Sequence, residues 1–359
     1  MARNPKASPS DSGGISKLHL GARIDDAVHK FRESLARRRG HTPTVIPYTG
    51  YGSPGWIRVL CRVLLTKPNL LSSSESPQAN AEKRYKKIRG WRSFTSVPVD
   101  DVVVTIEVAG VEQTVSADRG GVVDTVIEVD LSPGWHTITI RTDGSETVEA
   151  PVFVVDPDVR FGLISDVDDT VMVTALPRPF LAFWNTFVLD EHARRPVPGM
   201  AVLYERLLRD HPGAPIFYLS TGAWNVAPTL SRFLMRHLYP SGPLLLTDWG
   251  PTHDRWFRSG RDHKQQSLAR LASEFPRLRW LLVGDDGQHD EELYSGFAAG
   301  HENSVEAIAI RQLSTSEAVL AGGRSKDEER AHDDFVRWVF APDGAGLAEK
   351  LGGLGILDD

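Results

Sequence analysis

One cysteine, Cys61, stands in 359 residues, so no intrachain disulfide can form. That scarcity fits a reducing compartment. Long apolar runs are also missing. The longest candidate, Phe180 to Leu189, reaches half of the ~20 residues that span a bilayer, and it contains Asn185. The N-terminus, MARNPKASPSDSGG, carries positive charge with no apolar core behind it, so no secretory signal is expected. An excess of positive charge is absent too: 41 Lys and Arg face 47 Asp and Glu, a formal net charge of -6. Without a global basic field, nucleic acid is not an expected partner. An anionic substrate must be drawn by a local site. The expected setting is cytoplasmic, with a membrane met at most peripherally.

The length suggests two domains. Residues 1–41 read as a disordered tail followed by an amphipathic helix. Ser, Gly, Pro and Lys dominate the first twenty positions. Ile24, Val28, Phe31 and Leu35 then form one apolar stripe, closed by Arg37, Arg38, Arg39 and Gly40. Packing on the next domain is the favoured reading; a basic membrane anchor is the alternative. Over 42–156 the pattern becomes short β segments: 56–65, 101–108, 111–117, 121–129 and 135–142. Ala109-Gly110, the run 118–121, Ser132-Pro133-Gly134 and Asp143-Gly144 supply the turns. This predicts a small antiparallel β-sandwich with a long Ser- and Lys-rich loop over 72–87. It holds no catalytic constellation, and no protein partner is assigned to it.

Over 157–321 apolar strand-like runs alternate with helical ones, which argues an α/β domain around a parallel sheet. The strands fall at 161–166, 215–220, 244–249, 279–285 and 305–311. Helices are expected between them, at 201–211 and 225–238 for instance. In such sheets ligands bind beyond the C-terminal strand ends, and polar residues close nearly every strand here. Residues 322–359 read as a linker, a short helix over 333–340 and a loose Gly-rich tail.

The chemistry concentrates at those strand ends. Asp166, Asp168 and Asp169 lie within four residues, and their mutual repulsion asks for a cation. Hard oxygen ligands on a rigid loop suit Mg²⁺. One carboxylate can attack phosphorus while its neighbour handles the leaving-group proton. Ser220-Thr221-Gly222 offers a hydroxyl and backbone N–H groups for phosphate oxygens. Lys264 opens a helical stretch. A second acidic cluster, Asp285-Asp286 with Asp290, closes the strand over 279–285 and again asks for a metal. His289 is given no catalytic role.

Aspartates, a Ser, a Lys and aspartates again, in that order, resemble the haloacid dehalogenase superfamily. Its motifs are DxDx[TV], Ser or Thr, Lys, and an acidic pair of the GDxxxxD type. The stretches ISDVDDTV (164–171), PVPGMAVLYERL (196–207), FYLSTGAW (217–224), SGPLLLTDWG (241–250), DHKQQSLARLASEFP (262–276) and LLVGDDGQHDEELY (281–294) look like the catalytic domain of the actin-patch-associated phosphatidate phosphatase family, a relative of the lipins. IPYTGYGSPGWIRVLCRVL (46–64) and RGWRSFTSVPV (89–99) resemble the leading sandwich of its bacterial-type members. Two stretches depart from the family pattern. Gly222-Ala223-Trp224 stands where Ser-Pro-Trp is usual, and Gly284-Asp285-Asp286-Gly287 where Gly-Asp-Ser-Gly is usual.

The resemblance implies a Rossmann-like three-layer domain without a large cap, and a Mg²⁺-dependent phosphatase acting on a phosphatidate-like lipid phosphate monoester. It implies Asp166 as nucleophile and Asp168 as acid and base. Mg²⁺ would sit on Asp166, the Asp168 carbonyl and Asp285. Ser220, Thr221, Gly222 and Lys264 would hold the phosphoryl group. Thr170 would steady the loop beside it, Asp290 would orient Lys264, and Asp286 would act in support. Phe180, Phe183, Trp184 and Phe187 could wall an acyl site, although a core helix is the plainer reading. Rival functions are a phosphatase of a soluble ester, a phosphoacceptor receiver, and a non-catalytic binding protein on the same fold.

Overall fold

The computed structural model describes residues 31–66, 97–173, 195–247, 253–287, 289–320 and 336–358, with the side chains of 253–259 and of Leu320 excepted. The first twenty residues, the start of the N-terminal stripe, the loop over 72–87 and the aromatic segment 180–187 lie outside them. The helix over 31–38, α1, leaves Phe31 68% exposed and sends Ala36 into the β core.

Among the described residues nine strands build the first unit: β1 (Thr42–Pro47), β2 (Gly50–Ser53), β3 (Gly55–Thr66), β4 (Val97–Pro98), β5 (Val103–Val108), β6 (Val111–Ser116), β7 (Val122–Val129), β8 (Gly134–Thr142) and β9 (Val148–Val154). Pairing is antiparallel except between β2 and β9. Hydrogen bonds link all nine into one sheet where two were expected, because β3 is long enough to pair with β1, β2, β4 and β7. β1 also lies against β8 and β9 without pairing to them, so the sheet folds back on itself. The Ala109-Gly110 turn forms as expected, with both φ angles positive, and joins β5 to β6.

Alternation along β3 explains how the two units join. Ile57, Val59, Cys61, Val63 and Leu65 face the core of the β unit. Leu60 and Leu64, on the opposite face, belong to the core of the α/β unit. Both faces of β3 are therefore buried, as its nearly continuous apolar sequence requires. Burial pushes the Cys61 thiol up to about 12, which leaves it a small core hydrophobe.

The second unit holds a six-stranded sheet, all parallel, in the order β14-β13-β10-β15-β16-β17. Its strands are β10 (Phe161–Asp166), β13 (Ile216–Ala223), β14 (Leu244–Thr247), β15 (Arg279–Asp285), β16 (Val305–Arg311) and β17 (Arg337–Ala341). A small hairpin, β11 (Met172–Val173) with β12 (Arg195–Pro196), follows β10. The helices are α2 (Met200–Asp210), α3 (Ala227–Arg236), α4 (His253–Glu274), α5 (Asp290–Gly300), α6 (Thr315–Leu320) and α7 (Gly344–Gly353). From β10 the chain runs outward to β13 and β14, then returns to β15 on the other side. The strand order therefore reverses beside β10, and a crevice opens at its C-terminal end.

The C-terminal segment corrects two expectations. The stretch read as a helix over 333–340 is, from Arg337 on, the strand β17. Val339 and Ala341 are buried, while the Trp338 and Phe340 rings stack at 6.0 Å, a period of two that suits an edge strand. The supposed loose tail forms α7, capped by Asp343, which accepts from the Gly346 N–H at 2.9 Å. Leu347, Leu351, Ile356 and Leu357 are buried. The tail reads as loose because its glycines lower helix propensity, but Gly344 is needed for contact: a Cβ there would come within 2.2 Å of the Gly199 carbonyl carbon.

Among the described residues no helix is long and apolar enough to cross a membrane. If α7 is docked as described, Gly344→Ala lowers stability by about 1–3 kcal/mol through overpacking. Thermal unfolding measures this, and an unchanged Tm would restore the loose tail.

Candidate active site

The first acidic cluster grows out of β10. All six residues of the strand are buried, so its last side chain, Asp166, enters the crevice from the middle of the sheet. The preceding Ser165 shares a 2.6 Å hydrogen bond with the Tyr204 hydroxyl and ties the strand end to α2. The chain then turns tightly. The Asp169 N–H donates to the Met172 carbonyl at 2.8 Å, with Asp169 at φ 59, and Val171 N–H donates to Val167 at 3.0 Å. Thr170 is fully buried under this turn, and its hydroxyl has no partner among the described residues.

The remaining groups converge on Asp166 from three other elements. Lys264 of α4 donates to Asp166 Oδ1 at 2.6 Å and to Asp290 Oδ1 at 2.8 Å. Asp290 opens α5, where a carboxylate is favoured by the helix dipole. Asp285, the last residue of β15, accepts from the Gly287 N–H at 2.6 Å. Carboxylate oxygens of Asp166, Asp285 and Asp290 all lie within 4.8 Å of one another. The glycine before Asp285 permits this approach. A Cβ on Gly284 would come within 2.7 Å of Asp290 Oδ2 and 2.8 Å of the Tyr294 ring.

The charge balance is uneven. Burial pushes the Asp166 carboxyl well above the usual range, Lys264 opposes it, and Asp290 and Asp168 push it further up. Burial works against the Lys264 ammonium, but Asp166 and Asp290 outweigh it and hold it above the ordinary lysine range. One ammonium thus bridges two of three buried carboxylates. Such a set is short of positive charge, and a small hard cation would supply it.

β13 brings the hydroxyl motif, with a difference from expectation. The strand runs on to Ala223, and its pairing with β14 is irregular between Leu219 and Ala223. Ser220 Oγ donates to Asp168 Oδ2 at 3.0 Å, and the Gly222 N–H donates back to Ser220 Oγ at 3.0 Å. The Gly222 donor is therefore used within the motif. The Thr221 side chain faces Gly260 of α4, where an added Cβ would lie 3.1 Å from its methyl group. Asp286 is a brace: its carboxylate accepts from the Leu313 N–H at 2.8 Å, and its own N–H donates to the Arg311 carbonyl at 2.9 Å.

Sequence reasoning missed Arg311, the last residue of β16. Its guanidinium is buried and donates to the Asp169 carbonyl at 2.7 Å, to Glu317 at 2.8 Å and to the Pro342 carbonyl at 3.3 Å. One planar group thereby ties the Asp166 turn to α6 and to the start of α7. The available signal was an arginine closing an otherwise apolar strand, at the sheet end where the other polar residues gather. Arg311→Lys keeps the charge but not the planar fork of donors. If Asp169 is held this way, turnover of any substrate processed at Asp166 falls at least about tenfold, or about 1.4 kcal/mol, with KM little changed. Steady-state kinetics on the folded variant measure this, and wild-type kcat would show that the turn is held by other contacts.

Residues 161–312 match the model of the family described as Phosphatidate phosphatase APP1, catalytic domain. Among curated proteins, Phosphatidate phosphatase APP1 of Saccharomyces cerevisiae is 30% identical over 210 residues, which cover 56% of this chain and 34% of that protein. An uncharacterized protein of Schizosaccharomyces pombe is 23% identical over 152 residues, 42% of this chain and 25% of that protein. The chain thus matches only a minor part of the length of these relatives. Among solved structures, a carbohydrate acetylesterase from Xanthomonas citri aligns over 76% of this chain and 70% of that one, at 10% identity and a TM-score of 0.26, too low to bear on the fold. The stretch matched by the phosphatase family is the one that carries Asp166, Ser220, Lys264, Asp285 and Asp290.

Proposed function

We propose that this chain is a phosphatidate phosphatase of the family matched over residues 161–312, with a haloacid dehalogenase-type catalytic unit on a Rossmann-like, three-layer plan. The observation that carries the proposal is the Lys264 ammonium bridging Asp166 and Asp290, with Asp285 beside them at the strand-order reversal. A structural role alone gives no reason to gather this many buried carboxylates at one point.

In this reading the Asp166 carboxylate attacks phosphorus and the phosphoryl group passes to it as an aspartyl-phosphate. Asp168, oriented by the Ser220 hydroxyl at 3.0 Å, gives its proton to the leaving alkoxide and then takes one from water for the second step. Lys264 neutralises charge on the transferred oxygens and holds Asp166 in place through the same ammonium. Asp290 keeps Lys264 oriented, and Arg311 keeps the turn after Asp166. The donor set fits Mg²⁺, which Asp166 and Asp285 would hold together with the Asp168 carbonyl. When bound, that ion supplies Lewis-acid stabilisation of the phosphoryl charge.

The substrate class is a lipid phosphate monoester. The family match supports it, and so does the short chain between Val173 and Arg195, well below the ~50 residues of a small domain. No large cap can be built there, which leaves the crevice accessible to a headgroup at a membrane surface. A cytoplasmic protein meeting a bilayer peripherally is the setting this implies.

Asp166→Asn is expected to abolish phosphate release from phosphatidate in mixed micelles while Tm is kept. Asp168→Asn should lower turnover by about 10²–10⁴-fold, the range of general acid–base catalysis. Chelation should silence the wild type, and added Mg²⁺ should restore it. Wild-type-like release by a folded Asp166→Asn protein would sink the mechanism. Full activity on a small soluble ester with none on phosphatidate would sink only the lipid assignment.

A further inference from the structure

The strand end that carries Ser220 is held partly from outside its sheet. In-register pairing of β13 stops at Leu219 on the β10 side and is irregular between Leu219 and Ala223 on the β14 side. Two contacts compensate. The Thr247 hydroxyl of β14 lies 3.0 Å from the Thr221 carbonyl and 3.2 Å from the Gly222 carbonyl, and donates to both. The second contact comes from the β unit. Tyr48, in the short link between β1 and β2, stacks its ring on Trp224 with centroids 4.7 Å apart and planes 27° apart. Its hydroxyl donates to the Trp224 carbonyl at 3.3 Å.

Trp224 is the hinge of this region. It opens the short helical turn Trp224–Val226 that leads into α3, and its carbonyl also accepts from the Ala227 N–H. The stack fixes the indole, and the Tyr48 hydroxyl takes the second lone pair of the carbonyl. Tyr48 is itself buried, and its N–H donates to the Leu60 carbonyl of β3 at 3.0 Å. Such an aromatic pair contributes about 0.5–1.5 kcal/mol beyond its buried area. From Trp224 the path to the chemistry is short. One residue, Ala223, separates it from Gly222, whose N–H donates to Ser220 Oγ, and Ser220 Oγ donates to Asp168 Oδ2.

We propose that Tyr48 is a positioning residue for the acid–base step: through Trp224 it fixes the Ser220 hydroxyl, and through that hydroxyl the carboxyl of Asp168. Tyr48 touches no reacting atom. The inference rests on the phosphatase reading above, in which Asp168 serves the leaving group and then water. A displacement of about 1 Å at such a group costs on the order of 10²-fold in rate, so a contact two steps away is felt in turnover.

The test is a double-mutant cycle in the full chain, with phosphatidate in mixed micelles, at a temperature well below the Tm of every variant. Tyr48→Leu is expected to lower kcat at least about tenfold with KM little changed. Tyr48→Phe, which keeps the stacked ring, should lose less. In a Ser220→Ala background the hydroxyl to be positioned is gone, so adding Tyr48→Leu should lower kcat by less than about twofold more. Losses that multiply would make Tyr48 ordinary core packing and overturn the inference, as would wild-type kcat in Tyr48→Leu. If Tyr48→Leu does not fold, Tyr48→Phe carries the same cycle, with the same two outcomes. Asp168→Asn separates this inference from the reading beneath it. A slow Asp168→Asn with multiplying Tyr48 and Ser220 losses leaves the phosphatase standing and removes only the role of Tyr48; wild-type turnover by Asp168→Asn removes both.

Discussion

Everything around the crevice depends on one ammonium group. Lys264 stands between Asp166 and Asp290, and without it these two buried carboxylates would lose the ammonium that bridges them, with Asp285 close by. Removing one partner of such a buried cluster costs about 3–5 kcal/mol, since the charge left behind has no water. The cluster also spans four elements: β10, β15, α4 and the start of α5. Its electrostatics therefore demand that two helices and two strands be held in fixed relation.

The β unit supplies part of that holding. α4 carries Lys264 near its middle and Glu274 at its end. Glu274 accepts from Tyr51 at 2.9 Å and from Arg58 at 2.7 Å, both on strands of the β unit. Arg270, one turn earlier, pairs with Asp124 of β7. The Tyr51 ring also meets Phe217 of β13 edge-on, with centroids 4.9 Å apart. Aromatic packing and a chain of ion pairs thus clamp α4 from outside the sheet that it covers. Burial of the Tyr51 hydroxyl raises it far above its ordinary range, so it stays a donor to Glu274 at any physiological pH. The β unit is in this way a brace for the helix that bears Lys264.

Much of this was legible before any coordinates. The strands at 161–166, 279–285 and 305–311 appear with the expected bounds, because a parallel strand buried on both faces is written as an uninterrupted apolar run. The grouping of Asp166, Lys264, Asp285 and Asp290 followed from the order of their motifs and the family resemblance; Lys264, read as opening a helical stretch, lies instead near the middle of α4. Less legible was β17, whose Trp338 and Phe340 were read as part of a helical pattern when they share one face of an edge strand. Short apolar runs do not distinguish the two by themselves. Arg311 was passed over because a single arginine carries no motif. Two of its three acceptors are backbone oxygens from stretches 31 and 142 residues away in the chain.

Outside β17 and α7, the residues alone indicated the types of most elements, their order, and the chemical kinds that would meet at the strand ends, since hydrophobic period and charge repulsion are local properties. Tertiary structure decided the rest. It placed β10 at the reversal of strand order, folded nine strands into one sheet, and split the two faces of β3 between two cores. It turned Ser220 toward Asp168, and it stacked Tyr48 on Trp224. These depend on which distant surfaces meet, and no spacing along the chain encodes the close approach of Gly199 to Gly344 or of Tyr51 to Glu274.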